Sequence, residues 1–89
     1  MNTTENFEKT KKDIINYYQL VDIKKTGGFT DEPNKIGHVK GEYKTFVHPN
    51  QASDLLKSIS MGFNNLIASG EMSHFRKWLR GYERKIKYS

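Results

Sequence analysis

The chain has no cysteine among its 89 residues. That excludes a disulfide framework, a thiolate metal site and a cysteine nucleophile, and it suits a reducing, cytoplasmic setting. No apolar run approaches the roughly 18 residues of a membrane span, and the N-terminal stretch MNTTENFEKTKKD has no apolar segment of the kind a signal peptide carries. Proline is scarce: Pro33 stands among turn formers and Pro49 closes a strand-like stretch. The three histidines, His38, His48 and His74, lie far apart with no His-x-x-x-His or His/Asp cluster, so no metal site is expected. No G-x-S-x-G elbow is present. Gly27-Gly28 is not followed by Gly-Lys-Ser/Thr, so it reads as a helix stop rather than a phosphate loop. Catalysis and a bound cofactor are therefore not expected.

Arginine is scarce too, and its placement is informative. The chain has three, Arg76, Arg80 and Arg84; elsewhere the basic residue is lysine. Residues 71 to 89 hold six Lys/Arg against two Glu, a net +4 of the whole chain's +5. At helical spacing, Met72, Phe75, Trp78, Leu79, Tyr82 and Ile86 form an apolar stripe. Arg76, Arg80, Arg84 and Lys87 lie nearly opposite it, with Lys77 at their edge. A planar, always-ionised guanidinium suits phosphate oxygens better than an ammonium does. The expectation is an amphipathic basic helix over about 71–87 whose rings turn inward and whose guanidinium groups turn outward together.

Earlier in the chain, residues 3–25 read as a first helix, with Thr3 or Thr4 as cap and Glu5 and Glu8 near its positive end. Phe7, Ile14, Tyr17, Tyr18 and Val21 share one face. Ile15, Leu20 and Ile23 fall elsewhere, which allows contact on two sides. Lys9, Lys11 and Lys12 read as solvated. Thr26-Gly27-Gly28 stops the helix. Asp31, Glu32, Pro33 and Asn34 form a loop. Ile36, Val39, Tyr43, Thr45, Phe46 and Val47 favour strands, so an antiparallel hairpin is expected over about 35–48, turning at Gly41. From Asn50, a plausible cap, Ala52, Leu55, Leu56, Ile59, Phe63, Leu66 and Ile67 gather on one face of a helix over about 50–68, with Gly62 as an internal weak point. Ser69 is the expected cap of the basic helix. The predicted fold is a small α+β domain, one unit over residues 1–89, with three helices and one hairpin between the first and second. At this length only about 60–65% of the unfolded surface is buried, so the core is thin.

A net charge of +5 favours an acidic partner. The predicted function is non-enzymatic binding of nucleic acid, RNA or DNA, through backbone contacts from Arg76, Lys77, Arg80, Arg84 and Lys87, aided by Lys44 from the hairpin. No helix-turn-helix, zinc-finger or RNA-recognition motif is present to predict base specificity. A second class is a protein-binding inhibitor of a host nuclease or toxin. The outward Met61 and the second side of the first helix would serve it, or a homodimer. The Lys-, Asn-, Ile- and Tyr-rich composition is the kind found in low-GC bacteria and their phages, so a phage or plasmid origin fits.

One constellation points to a third class. Asp31, then Glu42-Tyr43-Lys44, then Gln51 ahead of a helix resembles the D…ExK…Q arrangement of the PD-(D/E)xK nucleases. The resemblance implies a divalent metal held by Asp31 and Glu42, with Lys44 positioning water. It covers Asp31 to Gln51 alone. Lys40-Gly41 stands where that family has an apolar run, and Thr30 where it has the proline before the aspartate.

Overall fold

The structure is a computed structural model that describes residues 3–20, 29 and 49–87. Three helices follow one another: α1, Thr3–Leu20; α2, Pro49–Ala68; and α3, Met72–Lys87. Among the described residues there is no sheet, so the α+β expectation is corrected to an all-helical architecture. The physical reason lies in the core: among the described residues its buried apolar side chains come from the inward stripes of three helices plus Phe29, and their packing is helix on helix. The expected hairpin, 35–48, lies outside the described residues, as do residues 21–25 of the first helix.

The sequence periodicity placed most of this core. On α1, Ile14, Tyr17 and Tyr18 are buried and Phe7 packs at their margin; on α2, Ala52, Ile59, Phe63 and Leu66 are buried; on α3, Met72, Phe75 and Leu79 are. Leu55, Leu56, Trp78, Tyr82 and Ile86 are half-buried against them. Leu20, assigned to a second side of α1, joins the same cluster. Ile67 does not: it is exposed, as is Met61. Residues 63–68 continue α2 as helix.

Rings fill much of the space. Phe63 and Phe75 meet edge-on at 5.8 Å, Phe29 meets Phe63 at 6.2 Å and Tyr17 at 5.3 Å, and Phe7 meets Phe75 at 5.0 Å. Edge-to-face pairs at such separations add about 0.5–1.5 kcal/mol each beyond their buried area, which matters in a core this small.

Helices α1 and α2 cross at Gly62. A Cβ built there would stand 2.2 Å from Thr10 Oγ1 and 3.0 Å from Thr10 Cγ2. The missing side chain is therefore what lets the two backbones approach. One buried polar bond joins the helices at the crossing, Asn6 Nδ2 donating to the Gly62 carbonyl at 3.2 Å; a second, within α1, holds Thr10 in place, its Oγ1 donating to the Asn6 carbonyl at 2.8 Å. Expected from sequence as a weak point in a helix, Gly62 is instead a place of close contact between two helices. Further along, the Ser58 hydroxyl donates to Asp13 Oδ2 and accepts from Lys9 Nζ, both at 2.6 Å.

Helix α2 ends in a left-handed cap. Gly70 has φ of 77°, the Gly70 amide donates to the Ile67 carbonyl, and the Glu71 amide donates to the Leu66 carbonyl at 2.8 Å. This pair of bonds is the Schellman arrangement, and it needs a residue free of the Cβ penalty at positive φ. It also corrects the expected cap of α3. The Ser69 hydroxyl donates to the Leu66 carbonyl and to Glu71 Oε1, while α3 begins at Met72 and its Phe75 amide donates to the Glu71 carbonyl.

Candidate nucleic-acid interface

Six cations and one acid lie on α3. Where the acid goes decides how many of the cations face outward. Glu83 falls four residues after Leu79, at the edge of the apolar stripe beside Met72, and it is buried, 6% exposed. A carboxylate there must be paired and hydrogen-bonded, because an uncompensated buried charge costs several kcal/mol. Three donors meet it. The Tyr18 hydroxyl donates to Oε2, the Phe29 amide donates to Oε2 at 2.9 Å, and Arg80 Nη1 donates to Oε1 at 2.7 Å. The same Arg80 nitrogen donates to the Phe29 carbonyl at 2.9 Å. Both backbone polar groups of Phe29 are thus held by α3 side chains, while its ring sits between Tyr17, Tyr18 and Phe63.

Arg80, its side chain 37% exposed, is therefore partly drawn inward from the other guanidinium groups. It spans one turn to Glu83 and closes a clasp that joins α1, residue 29 and α3. In the expected row of Arg76, Arg80 and Arg84, the central guanidinium is thus shared with a buried carboxylate. The cause is the buried acid three residues away, which needs a counter-charge. A sequence signal for this existed: an acid at the edge of the apolar stripe with an arginine one turn before it. Burial pushes the Tyr18 phenol well above its ordinary value, and the adjacent Glu83 charge pushes it further, so Tyr18 stays a neutral donor. The Tyr82 phenol is raised as well, by burial.

The other expected contact residues keep their outward placement. Arg76, Lys77 and Arg84 are exposed, and Lys87 is half-exposed in the last turn. Lys85, not singled out from sequence, is exposed beside them. Lys44 lies outside the described residues, and so do Asp31 and Glu42 of the nuclease-like constellation; Gln51 is exposed in the first turn of α2. Residues seven or eleven apart return to nearly the same helix face. Lys77 and Arg84 therefore make one line about 10 Å long, pointing away from the core. Arg76 and Lys87 make a second, about 16 Å long, roughly a quarter turn away. Arg80 lies between the two lines, its guanidinium bonded to Glu83 and to the Phe29 carbonyl. Arg84, Lys85 and Lys87 also sit at the negative end of the helix dipole, which they stabilise whether or not a ligand is present.

The lysines of α1 divide. Lys9 pairs with Asp13 at 3.0 Å, while Lys11 is half-buried, pairs with Glu8 and lies 5.6 Å and 5.5 Å over the rings of Phe7 and Trp78. His74 is exposed at the start of α3, its ring 5.4 Å from that of Phe7. Together with Glu8 and Glu71 these two line a shallow depression between the N-terminal ends of α1 and α3. Among the described residues no group of three His, Cys, Asp or Glu is placed to hold a metal, and no helix is long and apolar enough to cross a membrane. Comparison with protein-family models, with curated proteins and with solved structures gives no match.

Proposed function

We propose that this protein binds nucleic acid through the outer surface of α3, by contacts to the phosphate backbone and without catalysis, in the cytoplasm. The observation that carries the reading is the fate of Glu83. It is the one acid on α3, it is turned inward, and a single arginine accompanies it. What remains on the outside of that helix is of one sign: Arg76, Lys77, Arg84, Lys85 and Lys87. A surface of one sign on a preformed helix favours a polyanion, whose condensed counterions are released on binding.

The test is fluorescence anisotropy with labelled oligonucleotides over a salt series. With Lys77, Arg84, Lys85 and Lys87 engaged, the logarithm of affinity should fall with the logarithm of salt with a slope of about −3 to −4 on duplex DNA. Lys77→Ala with Arg84→Ala should reduce the slope by about 2 and weaken binding at least tenfold, with thermal unfolding nearly unchanged. The exposed Lys57, on α2, serves as a control: Lys57→Ala should leave binding as it was. Binding that is indifferent both to salt and to the double change would reduce the α3 surface to a solvated helix face.

A further inference from the structure

Nucleic-acid surfaces that hold single strands combine cations with open aromatic faces on which bases stack, worth about 1–3 kcal/mol per base. Helix α3 has rings beside its cations, and their disposition distinguishes the two modes. Trp78 and Tyr82 lie stacked, 5.4 Å apart with 12° between their planes. Tyr82 is also stacked on Tyr18, at 6.2 Å and 29°. Trp78 has the Lys11 ammonium over its ring and Phe75 tilted against it at 5.3 Å. Phe7 is packed against Phe75 and His74 and has Lys11 over its ring. Tyr17, Tyr18, Phe29, Phe63 and Phe75 are buried. Among the described residues no Phe, Tyr or Trp is exposed.

The rings beside the cations are thus already stacked on one another or capped by an ammonium, and opening them would dismantle the α1–α3 contact. We infer that the ligand of α3 is double-stranded nucleic acid gripped by its phosphates, not a single strand stacked on aromatic side chains. This rests on the nucleic-acid reading above and narrows it. The cation geometry points the same way. The two lines of cations sit on a rigid rod about 10–12 Å across, comparable with the roughly 12 Å width of the major groove of B-form DNA. A regular duplex offers that rod a regular array of charges. A flexible strand must be ordered against it, and among the described residues no open ring offers stacking to offset the lost entropy.

The lone tryptophan supplies the assay. Trp78 emission and anisotropy of labelled probes are followed at one salt concentration with four ligands of equal length: duplex DNA, duplex RNA, oligo(dT) and oligo(U). The expected result is several-fold tighter binding to one or both duplexes than to either single strand, with little change in Trp78 emission in any complex. The two duplex arms decide whether a B-form or an A-form backbone fits better. Equal or tighter binding to oligo(dT) or oligo(U), or strong quenching of Trp78 by them, overturns the duplex inference while leaving the nucleic-acid reading intact. Salt-dependent binding to none of the four overturns both.

Discussion

Replacing Gly62 by alanine sets two effects of opposite sign against each other. Helix propensity alone says the change stabilises, because Ala is favoured over Gly in a helix interior by about 1 kcal/mol. The crossing with α1 says the reverse. The new Cβ would lie 2.2 Å from Thr10 Oγ1, well inside contact distance, and the other branch of the same side chain waits at 3.0 Å. Rotating Thr10 exchanges one clash for another and breaks its bond to the Asn6 carbonyl. Thr10 is 1% exposed, so there is no room to swing away. The helices must separate instead, which stretches the 3.2 Å bond from Asn6 to Gly62 as well. Overpacking of this kind costs typically 1–3 kcal/mol, and a weakened buried hydrogen bond adds about 1. After the propensity gain is subtracted, Gly62→Ala should destabilise by about 1–3 kcal/mol. In a domain of this size each kcal/mol lowers Tm by about 4–8 °C. Thermal and urea unfolding followed by far-ultraviolet circular dichroism measures it. Adding Thr10→Ala should restore part of the loss, because the nearest remaining atom is then the Thr10 Cβ position at 3.1 Å. The two changes should therefore couple favourably. A Gly62→Ala protein as stable as the parent, or additive effects in the double variant, would refute the close-crossing argument.

Arg80→Ala and Arg84→Ala should behave differently despite their shared face in sequence. The first strips the buried Glu83 of its counter-charge and should lower stability by about 1–3 kcal/mol; the second should change it by less than about 0.5. Equal unfolding midpoints would show that the clasp carries no weight. Stability should also depend on alkaline pH. Tyr18 titrates in the unfolded chain near its ordinary value of 10.0 and is raised in the folded one. Its contribution is therefore complete below pH 10 and is lost as pH rises above it, at about 1.4 kcal/mol per pH unit for one proton. Tyr18→Phe should make the alkaline slope of Tm shallower, and the raised Tyr82 should keep it from vanishing. An unchanged slope in Tyr18→Phe would contradict the buried-phenol assignment.

The parts of this fold that were legible in sequence are those written in one periodic face. The stripes of α2 and α3 could be read because apolar residues recur at steps of three and four, and the core uses nearly all of them. What could not be read depends on partners far along the chain. Glu83 bonds Tyr18 and Phe29, 65 and 54 positions away, and Asn6 bonds Gly62 across 56. No local pattern announces such pairs. Gly62 gave only its local signal, a poor helix former, while its role comes from Thr10 on another helix. Spacing places Arg80 on the outward face because it sees the helix and not the acid one turn on. Spacing places Ile67 at the edge of the α2 stripe, where the neighbours and not the period decide, and it is exposed.

The clasp also has a bearing on biosynthesis. Among the described helices α3 is translated after α1 and α2, yet it supplies the acceptor for a phenol on α1 and for the amide of Phe29. Until Glu83 has emerged, both donors must rely on water, and the Phe29 ring lacks the anchor that holds its backbone. The cations of α3 take up their fixed positions in the same event, so a nascent chain acquires its electropositive surface only when its interior is finished.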